Sequence, residues 1–378
     1  MHLPFAASER STIGIEWELA IVDKDSGDLR QVAQTVIDAV APADGGQHPH
    51  IRQELLLNTV EIVSGVSRTV REAGDDLERS IAEIQEILDP LRAELMCAGT
   101  HPFGRWSNQR VTDKERYATL IDRTQWWGRQ MLIYGVHVHV GIEDVAKVLP
   151  IQRALLCYYG HLQALSASSP FWGGKDTGYA SNRALMFQQL PTAGLGFQFE
   201  TWEQLEGYVA DMMHTGVIDQ FDEVRWDLRP SPRFGTLETR ICDGASNITE
   251  VLAFAALNHC LVEHLSTMLD EGKGLPTIPP WFAQENKWRS ARYGMDAIII
   301  LDREGNEELV RDSIARLLTE LEPTAARLGC LAELDGVRTI LHKGASYQRQ
   351  RAVARRNAGD LPAVVAALVA EMRAGRPL

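Results

Sequence analysis

No run of apolar residues in this 378-residue sequence is long enough to cross a bilayer as a helix, which argues against a helical membrane protein. Met1 to Arg10 interleaves Pro4 with polar residues instead of leading a basic segment into an apolar one, so no secretory leader is expected and a cytoplasmic location is. Cysteine is scarce: Cys97, Cys157, Cys242, Cys260 and Cys330 are odd in number, widely spaced and never arranged as Cys-x-x-Cys. That pattern argues against a disulfide framework or a zinc knuckle and leaves reduced, buried thiols as the expectation. Basic residues are the minority, 38 against 51 acidic ones, and a formal net charge of -13 speaks against a general binder of nucleic acid or acidic membranes. Internal repeats, low-complexity tracts and an evident linker are also missing, so the chain is read as one domain, 1–378, with enough hydrophobic content (45%) to fill a large core.

What is present begins with Ile13-Gly14-Ile15-Glu16-Trp17-Glu18-Leu19-Ala20-Ile21, an alternation that predicts a β-strand with both carboxylates on one face. Like charges held together there call for a cation, since unpaired buried carboxylates are costly and hard divalent metals take oxygen ligands. Ile51 to Val63 reads as a strand carrying Glu54 and Glu61; their odd separation puts them on opposite faces unless Glu54 sits in a loop or beyond a bulge. Apolar positions from Leu77 to Leu95 recur every three or four residues and predict an amphipathic helix over 69–96, divided or kinked at Pro90. His101 to Arg129 is polar and arginine-rich. Gly135-Val136-His137-Val138-His139 predicts a strand with both imidazoles on one face, and Ser168 to Arg183 a long loop of the kind that carries function. Arg229 to Gly235, with two prolines, is expected to be a rigid turn between a strand over 223–228 and another over 236–241, on which Glu238 and Arg240 share a face. Helices follow over 249–269, 307–328 and 361–372, with Arg289 and Arg292 one helical turn apart between them and a basic stretch around Arg349.

Carboxylates at 16, 18, 54, 61 and 238, a His pair and a set of arginines describe phosphoryl-transfer chemistry, in which Mg²⁺ or Mn²⁺ bridges nucleotide phosphates and arginines neutralise the spreading charge. There is no Gly-x-x-x-x-Gly-Lys-Ser/Thr and no kinase-type glycine loop, so an ATP site has to be built on an antiparallel sheet. The order Gly14-Ile15-Glu16-Trp17-Glu18, Gln53-Glu54 with Val60-Glu61, Gly135-Val136-His137-Val138-His139, Ser169-Pro170-Phe171 with Gly178 to Arg183, Leu237-Glu238-Thr239-Arg240 with Asp243-Gly244, and Asn286-Lys287-Trp288-Arg289 resembles the type 2 glutamate-cysteine ligase-like carboxylate-amine ligases, within the glutamine synthetase and guanidino-kinase fold group.

That resemblance covers most of the chain. It implies an α+β fold, a curved and mainly antiparallel sheet flanked by helices as in the glutamine synthetase catalytic domain. By analogy with the family's motifs, Glu16, Glu18, Glu54, Glu61, His137 and Glu238 form the metal shell, while His139 stands apart because related enzymes can carry Asn there. The implied reaction moves the γ-phosphoryl group of ATP to a carboxylate, nominally of glutamate, and an amine, nominally cysteine, displaces phosphate from the acyl phosphate to give γ-glutamylcysteine. Arg240 and Arg233 are the expected stabilisers of the transferred group, Arg183 the grip on the amino-acid carboxylate, and Arg289, Arg292 and Arg349 the contacts to nucleotide phosphates. Small-molecule amino acids are the expected partners, with a homodimer the simplest assembly. Three rivals are a guanidino-type phosphotransferase on the same fold, a zinc hydrolase built on His137 and His139 but without a clear set of further histidine ligands, and a binding or regulatory protein that keeps the fold without turnover.

Overall fold

The alternation at the start of the chain becomes β1 (Ile13–Asp23), with Ile13, Ile15, Trp17 and Leu19 buried on one face and Glu16 and Glu18 only half-buried on the other. The computed structural model describes residues 2–378. In chain order β2 (Ile51–Gln53), β3 (Thr59–Val63), β4 (Ala93–Met96), β5 (Gly135–Gly141), the small hairpin β6 (Phe171–Trp172) and β7 (Lys175–Asp176), β8 (Leu228–Ser231), β9 (Thr236–Asp243), and a second hairpin, β10 (Ile298–Ile300) with β11 (Glu307–Leu309), complete the strands. Seven of them form one open antiparallel sheet in the order β2-β3-β1-β5-β9-β8, with β4 added against the far end of β1.

Helices cover the apolar side of this sheet, giving the helix-flanked antiparallel fold that the resemblance implies. The helix Ile248–Asp270 lies on β1 and β5 and is itself walled by the helices Val70–Leu88, Val145–Leu155, Val310–Leu328 and Leu331–Lys343. Being surrounded, it is apolar on nearly every side: Val251, Phe254, Leu257, Leu261 and Leu265 are all buried. A satellite cluster of Leu205, Val209, Phe221, Val224 and Trp226 fastens the helix Trp202–His214 beside the segment that enters β8. No helix among the described residues is long and apolar enough to cross a membrane.

Several boundaries differ from the sequence expectation, each for a local reason. The helix starting at Val70, with a Thr69–Glu72 capping box, stops at Leu88; Pro90 opens a short 3-10 turn and Arg92, at φ 51°, reverses the chain into β4. Leu91 and Leu95 matched the helical period only by coincidence. The single strand expected over 51–63 is two strands of a hairpin, with Glu54 in the connection between them. The polar segment after His101 contains a helix, Glu115–Arg129. The strand expected over 223–228 instead begins at Leu228, and Arg229, Pro230 and Ser231 belong to β8 on the sheet edge, where proline's missing N–H costs no ladder bond.

Candidate active site

Directly opposed residues of antiparallel strands share a face, so the pairing register assembles the polar face strand by strand. Glu16 stands opposite His137, and Glu18 opposite Glu61. Further along, Glu238 lies between His139 of β5 and Arg229 of β8. On β9 one extra residue interrupts the pairing opposite His137, where Arg240 and Ile241 span the irregularity. Such a bulge re-aims side chains, and here it brings Arg240 back over the acids. Glu54 joins from its loop, where Thr112 Oγ1 donates to its carbonyl (2.7 Å) and its carboxylate accepts the Leu55 N–H (3.0 Å).

The polar atoms fall into two groups. In the first, Glu16 Oε2 is 3.1 Å from His137 Nδ1 and its Oε1 is 3.4 Å from His139 Nε2. Glu238 Oε1 lies 4.0 and 3.8 Å from the same two nitrogens, and ligand atoms of Glu16, His137 and Glu238 all fall within 4.8 Å of one another. Glu238, fully buried, is held between Arg229 Nη2 (2.6 Å) and Arg240 Nη1 (2.5 Å). The second group is Glu18, Glu54 and Glu61. Burial, then the charge of Glu54, pushes the Glu18 carboxyl up to about 7. Burial together with Glu54, Glu16 and Glu18 raises Glu61 well above the carboxylate range, and burial raises Glu54 too. Glu16 and Glu238 go the other way. Burial opposes ionisation at both, but hydrogen bonds from His137 and His139 at Glu16, and the two arginines at Glu238, hold them well below their ordinary values. Burial and the nearby Arg240 charge press His137 down to about 4, which favours the neutral imidazole.

Arg183 reaches this face from the long loop that follows Ser168. Its guanidinium passes over Gly135 so closely that a β-carbon there would sit 2.1 Å from Nη2, which is why that position on β5 holds glycine. Arg183 Nη1 donates to the Arg240 carbonyl (3.1 Å), and its own N–H donates to Ser169 Oγ (3.1 Å). Buried Asp243 organises the loop behind it, accepting from Ser169 Oγ (2.6 Å), Ser181 Oγ (2.8 Å) and the Ser168 N–H (3.0 Å). The Nε atoms of Arg183 and Arg240 are buried with no protein partner. Buried guanidinium N–H groups without a protein partner are costly, and both of these sit beside the acid face.

Arg183 and Arg240 line a cavity of about 770 Å³, together with Glu18, Glu54 and His137. Arg233 lies on its wall, with its guanidinium over the Phe234 ring at 5.4 Å. Glu16, Glu61 and Glu238 lie beside these residues on the sheet through the pairing register. The structure does not bring Arg289, Arg292 or Arg349 here. Arg289 pairs with Glu285 (2.9 Å) and Glu307 (2.5 Å) on a surface helix. Arg292 donates to the Gly178 carbonyl and stacks on Tyr179 and Tyr293. Arg349 is buried between Glu250 and Glu371, at 2.8 Å from each. Their guanidiniums are engaged with these partners, and none of the three lines this cavity. Sequence reasoning missed Arg229, Arg225, Arg116 and Tyr117. Arg229 was assigned to the turn because of its two neighbouring prolines, and only recognition of a proline-bearing edge strand would have paired it with Glu238. Of the pair Glu238 and Arg240, Glu238 is fully buried and Arg240 largely so.

Residues 12–367 match the model of the family described as Glutamate-cysteine ligase family 2 (GCS2). The chain is 59% identical, over 99% of its own length and 99% of the relative's, to the protein named "Putative glutamate–cysteine ligase 2-1" of Arthrobacter sp. (strain FB24). It is 58% identical, over 98% and 97% of the two lengths, to a protein of Mycobacterium tuberculosis (strain ATCC 25618 / H37Rv) bearing the corresponding name. Among solved structures it resembles a glutamate–cysteine ligase of Francisella tularensis in complex with AMP, with a TM-score of 0.66, 13% identity, and 98% of this chain and 94% of that one covered. It also resembles the ligase PafA in complex with the prokaryotic ubiquitin-like protein Pup, with a TM-score of 0.54, 12% identity, and 94% and 71% covered. At those identities the likeness is one of fold. The match over nearly the whole sequence, together with relatives this similar along their full length, places the chain in glutamate-cysteine ligase family 2.

Proposed function

We propose that the protein is an ATP-dependent carboxylate-amine ligase of the glutamate-cysteine type, which phosphorylates the γ-carboxylate of glutamate and passes the acyl group to an amine. The observation that carries this reading is the meeting, on one sheet face, of two clusters of carboxylates with Arg183 and Arg240, which line the same cavity. Family membership and the names of full-length relatives support it.

The donor set fits divalent cations. Glu18, Glu54 and Glu61 are pushed toward the protonated state by burial and mutual repulsion, which a bound cation would reverse, and His137 is neutral as a ligand must be. Glu16, His137 and Glu238 would hold one ion, and Glu18, Glu54 and Glu61 another, Mg²⁺ or Mn²⁺ in kind. When bound, such ions neutralise the triphosphate oxygens and thereby lower the repulsion that a carboxylate nucleophile meets. Arg183, fixed by Asp243 through Ser169, orients the substrate carboxylate. Arg240, fixed by Glu238, supplies positive charge where the phosphoryl group transfers, with Arg233 at the wall beside it. Oxygen of the γ-carboxylate attacks the γ-phosphorus and ADP leaves. The amine nitrogen then attacks the acyl carbon, its C–N bond forms as the C–O bond to phosphate breaks, and the amine proton is lost.

The test is ADP and phosphate release with ATP, Mg²⁺, glutamate and a panel of amines including cysteine. Hydroxylamine added in place of the amine should give a glutamate-dependent hydroxamate. Phosphate release without any glutamate dependence would count against the reading. A guanidino-type kinase would leave the phosphoryl group on a guanidino acceptor and release ADP without free phosphate, so product analysis separates the two.

A further inference from the structure

In the stretch Asn286-Lys287-Trp288-Arg289 the lysine turns inward, and the phosphoryl chemistry leaves it unused. Lys287 is 1% exposed, and its Nζ lies 2.6 Å from Oδ2 of Asp227, which is buried as well. Tyr159, on the helix packed alongside, donates its hydroxyl to the same oxygen (3.0 Å). The helix that carries Lys287, Pro280–Tyr293, is pinned around it. Asn286 bonds both the N–H (2.8 Å) and the carbonyl (2.7 Å) of Ile300, and Gln163 donates to the Lys287 carbonyl (2.6 Å) and to Ser290 Oγ (2.8 Å). The ammonium therefore meets Asp227 from a fixed base.

Asp227 immediately precedes β8 and is bonded to Arg240 through the backbone. The bulge on β9 leaves Arg240 and Ile241 without register partners on β5, so other groups hold the Arg240 peptide. Its N–H donates to the Asp227 carbonyl (2.8 Å), and its carbonyl accepts from Arg183 Nη1 (3.1 Å). Asp227 in turn anchors its own N–H on the Gly194 carbonyl (2.8 Å). A buried ion pair is often no more stabilising than apolar side chains of the same volume, so this one is better suited to fixing geometry than to adding stability. The geometry it fixes is the backbone on which Arg240 is mounted.

We propose that Lys287 is a positioning residue for phosphoryl transfer: by holding Asp227 it sets the place of the bulged Arg240 peptide, and with it the guanidinium that meets the transferring group. This rests on the ligase reading above, in which Arg240 supplies positive charge where the phosphoryl group transfers. In that role Arg240 acts on the transition state more than on either bound substrate, so displacing it lowers kcat and leaves the KM values nearly unchanged.

Lys287→Met alone strands a buried carboxylate, so the test combines it with Asp227→Asn, which keeps an oxygen for the Tyr159 hydroxyl. Initial rates are read in the glutamate-dependent hydroxamate assay with ATP and Mg²⁺. The double variant should lose about 10- to 100-fold in kcat with the KM for ATP and for glutamate within about twofold of wild type, the scale set by displacing a reacting group by about an ångström. Tyr159→Phe, which keeps the packing and removes only the second bond to Asp227, should lower kcat in the same way by about 2- to 10-fold. In an Arg240→Gln background the double variant should add less than about a twofold further loss, because Lys287 acts only through Arg240. A merely structural role would lower activity by the same factor with Arg240 or without it. Unchanged kcat in Tyr159→Phe or in the double variant, a rise in KM with kcat held, or an equal further loss in the Arg240→Gln background would each overturn the assignment. Absence of any glutamate-dependent hydroxamate from the wild type would overturn the ligase reading, and this one with it; wild-type hydroxamate with kcat unchanged in the variants overturns only the role of Lys287.

Discussion

Removing divalent cations should make the folded protein less stable as the solution becomes more alkaline across neutrality. In the cation-free protein Glu18 titrates at about 7, from an ordinary 4.5, because burial and Glu54 oppose its charge. Its folded value is raised, so the stabilising contribution is complete below the unfolded value and disappears as pH climbs through 7; Glu61 and Glu54, raised by the same causes, act in the same direction. For Glu18 the displacement corresponds to about 3 kcal/mol, a ceiling because its carboxyl keeps an edge on the cavity. Cation binding demands the ionised carboxylates and adds stability of its own, about 2.7 kcal/mol at a hundred times the dissociation constant. Urea unfolding followed by fluorescence between pH 5 and 8, in EDTA and in saturating Mg²⁺, reads both effects. The expected result is a falling free energy in EDTA, on the order of 2–3 kcal/mol across that interval, and a flattened or inverted profile with Mg²⁺. Parallel curves in the two buffers would refute the reasoning, since they would mean that the acids bind no cation or carry ordinary proton affinities.

Glu16→Gln keeps the shape of the side chain but removes the charge that His137 and His139 address; metal-dependent ADP release should fall at least about 100-fold, as measured by a coupled ADP assay. Gly135→Ala places a methyl group where the Arg183 guanidinium passes, and should raise the KM for glutamate about tenfold or more while the ATP KM changes little, as read in initial-rate kinetics. Arg349→Met leaves Glu250 and Glu371 buried without their partner and should cost about 3–5 kcal/mol in denaturant unfolding, with the KM for ATP unaltered in the protein that remains folded.

The acid face was legible because its logic is local. Glu16 with Glu18, and His137 with His139, are spaced by two, and that spacing alone puts each pair on one side of a strand. Which strands would neighbour each other was not available from spacing, so the partnership of Glu238 with Arg229 and the bulge that redirects Arg240 emerged only with the register. The arginines show the same divide. Arg183 was found through its loop, whereas Arg289, Arg292 and Arg349 were attractive only as positive charges in an acidic chain. Whether a guanidinium is free or already spent on Glu307, Gly178 or Glu371 depends on helices distant in sequence. Leu91 and Leu95 kept the helical rhythm past the point where Pro90 and Arg92 had turned the chain, a reminder that periodicity does not mark where an element stops.

The first strand carries Trp17 and its apolar neighbours on one side and Glu16 and Glu18 on the other. Sliding it by a single position against β3 or β5 would drive two acids into the hydrophobic interior and expose an indole to water. Misalignment of the reactive groups is thus inseparable from loss of the folded state: the protein has no low-energy way of being intact yet wrongly assembled at this seam, and it needs no separate safeguard for the geometry of its chemistry.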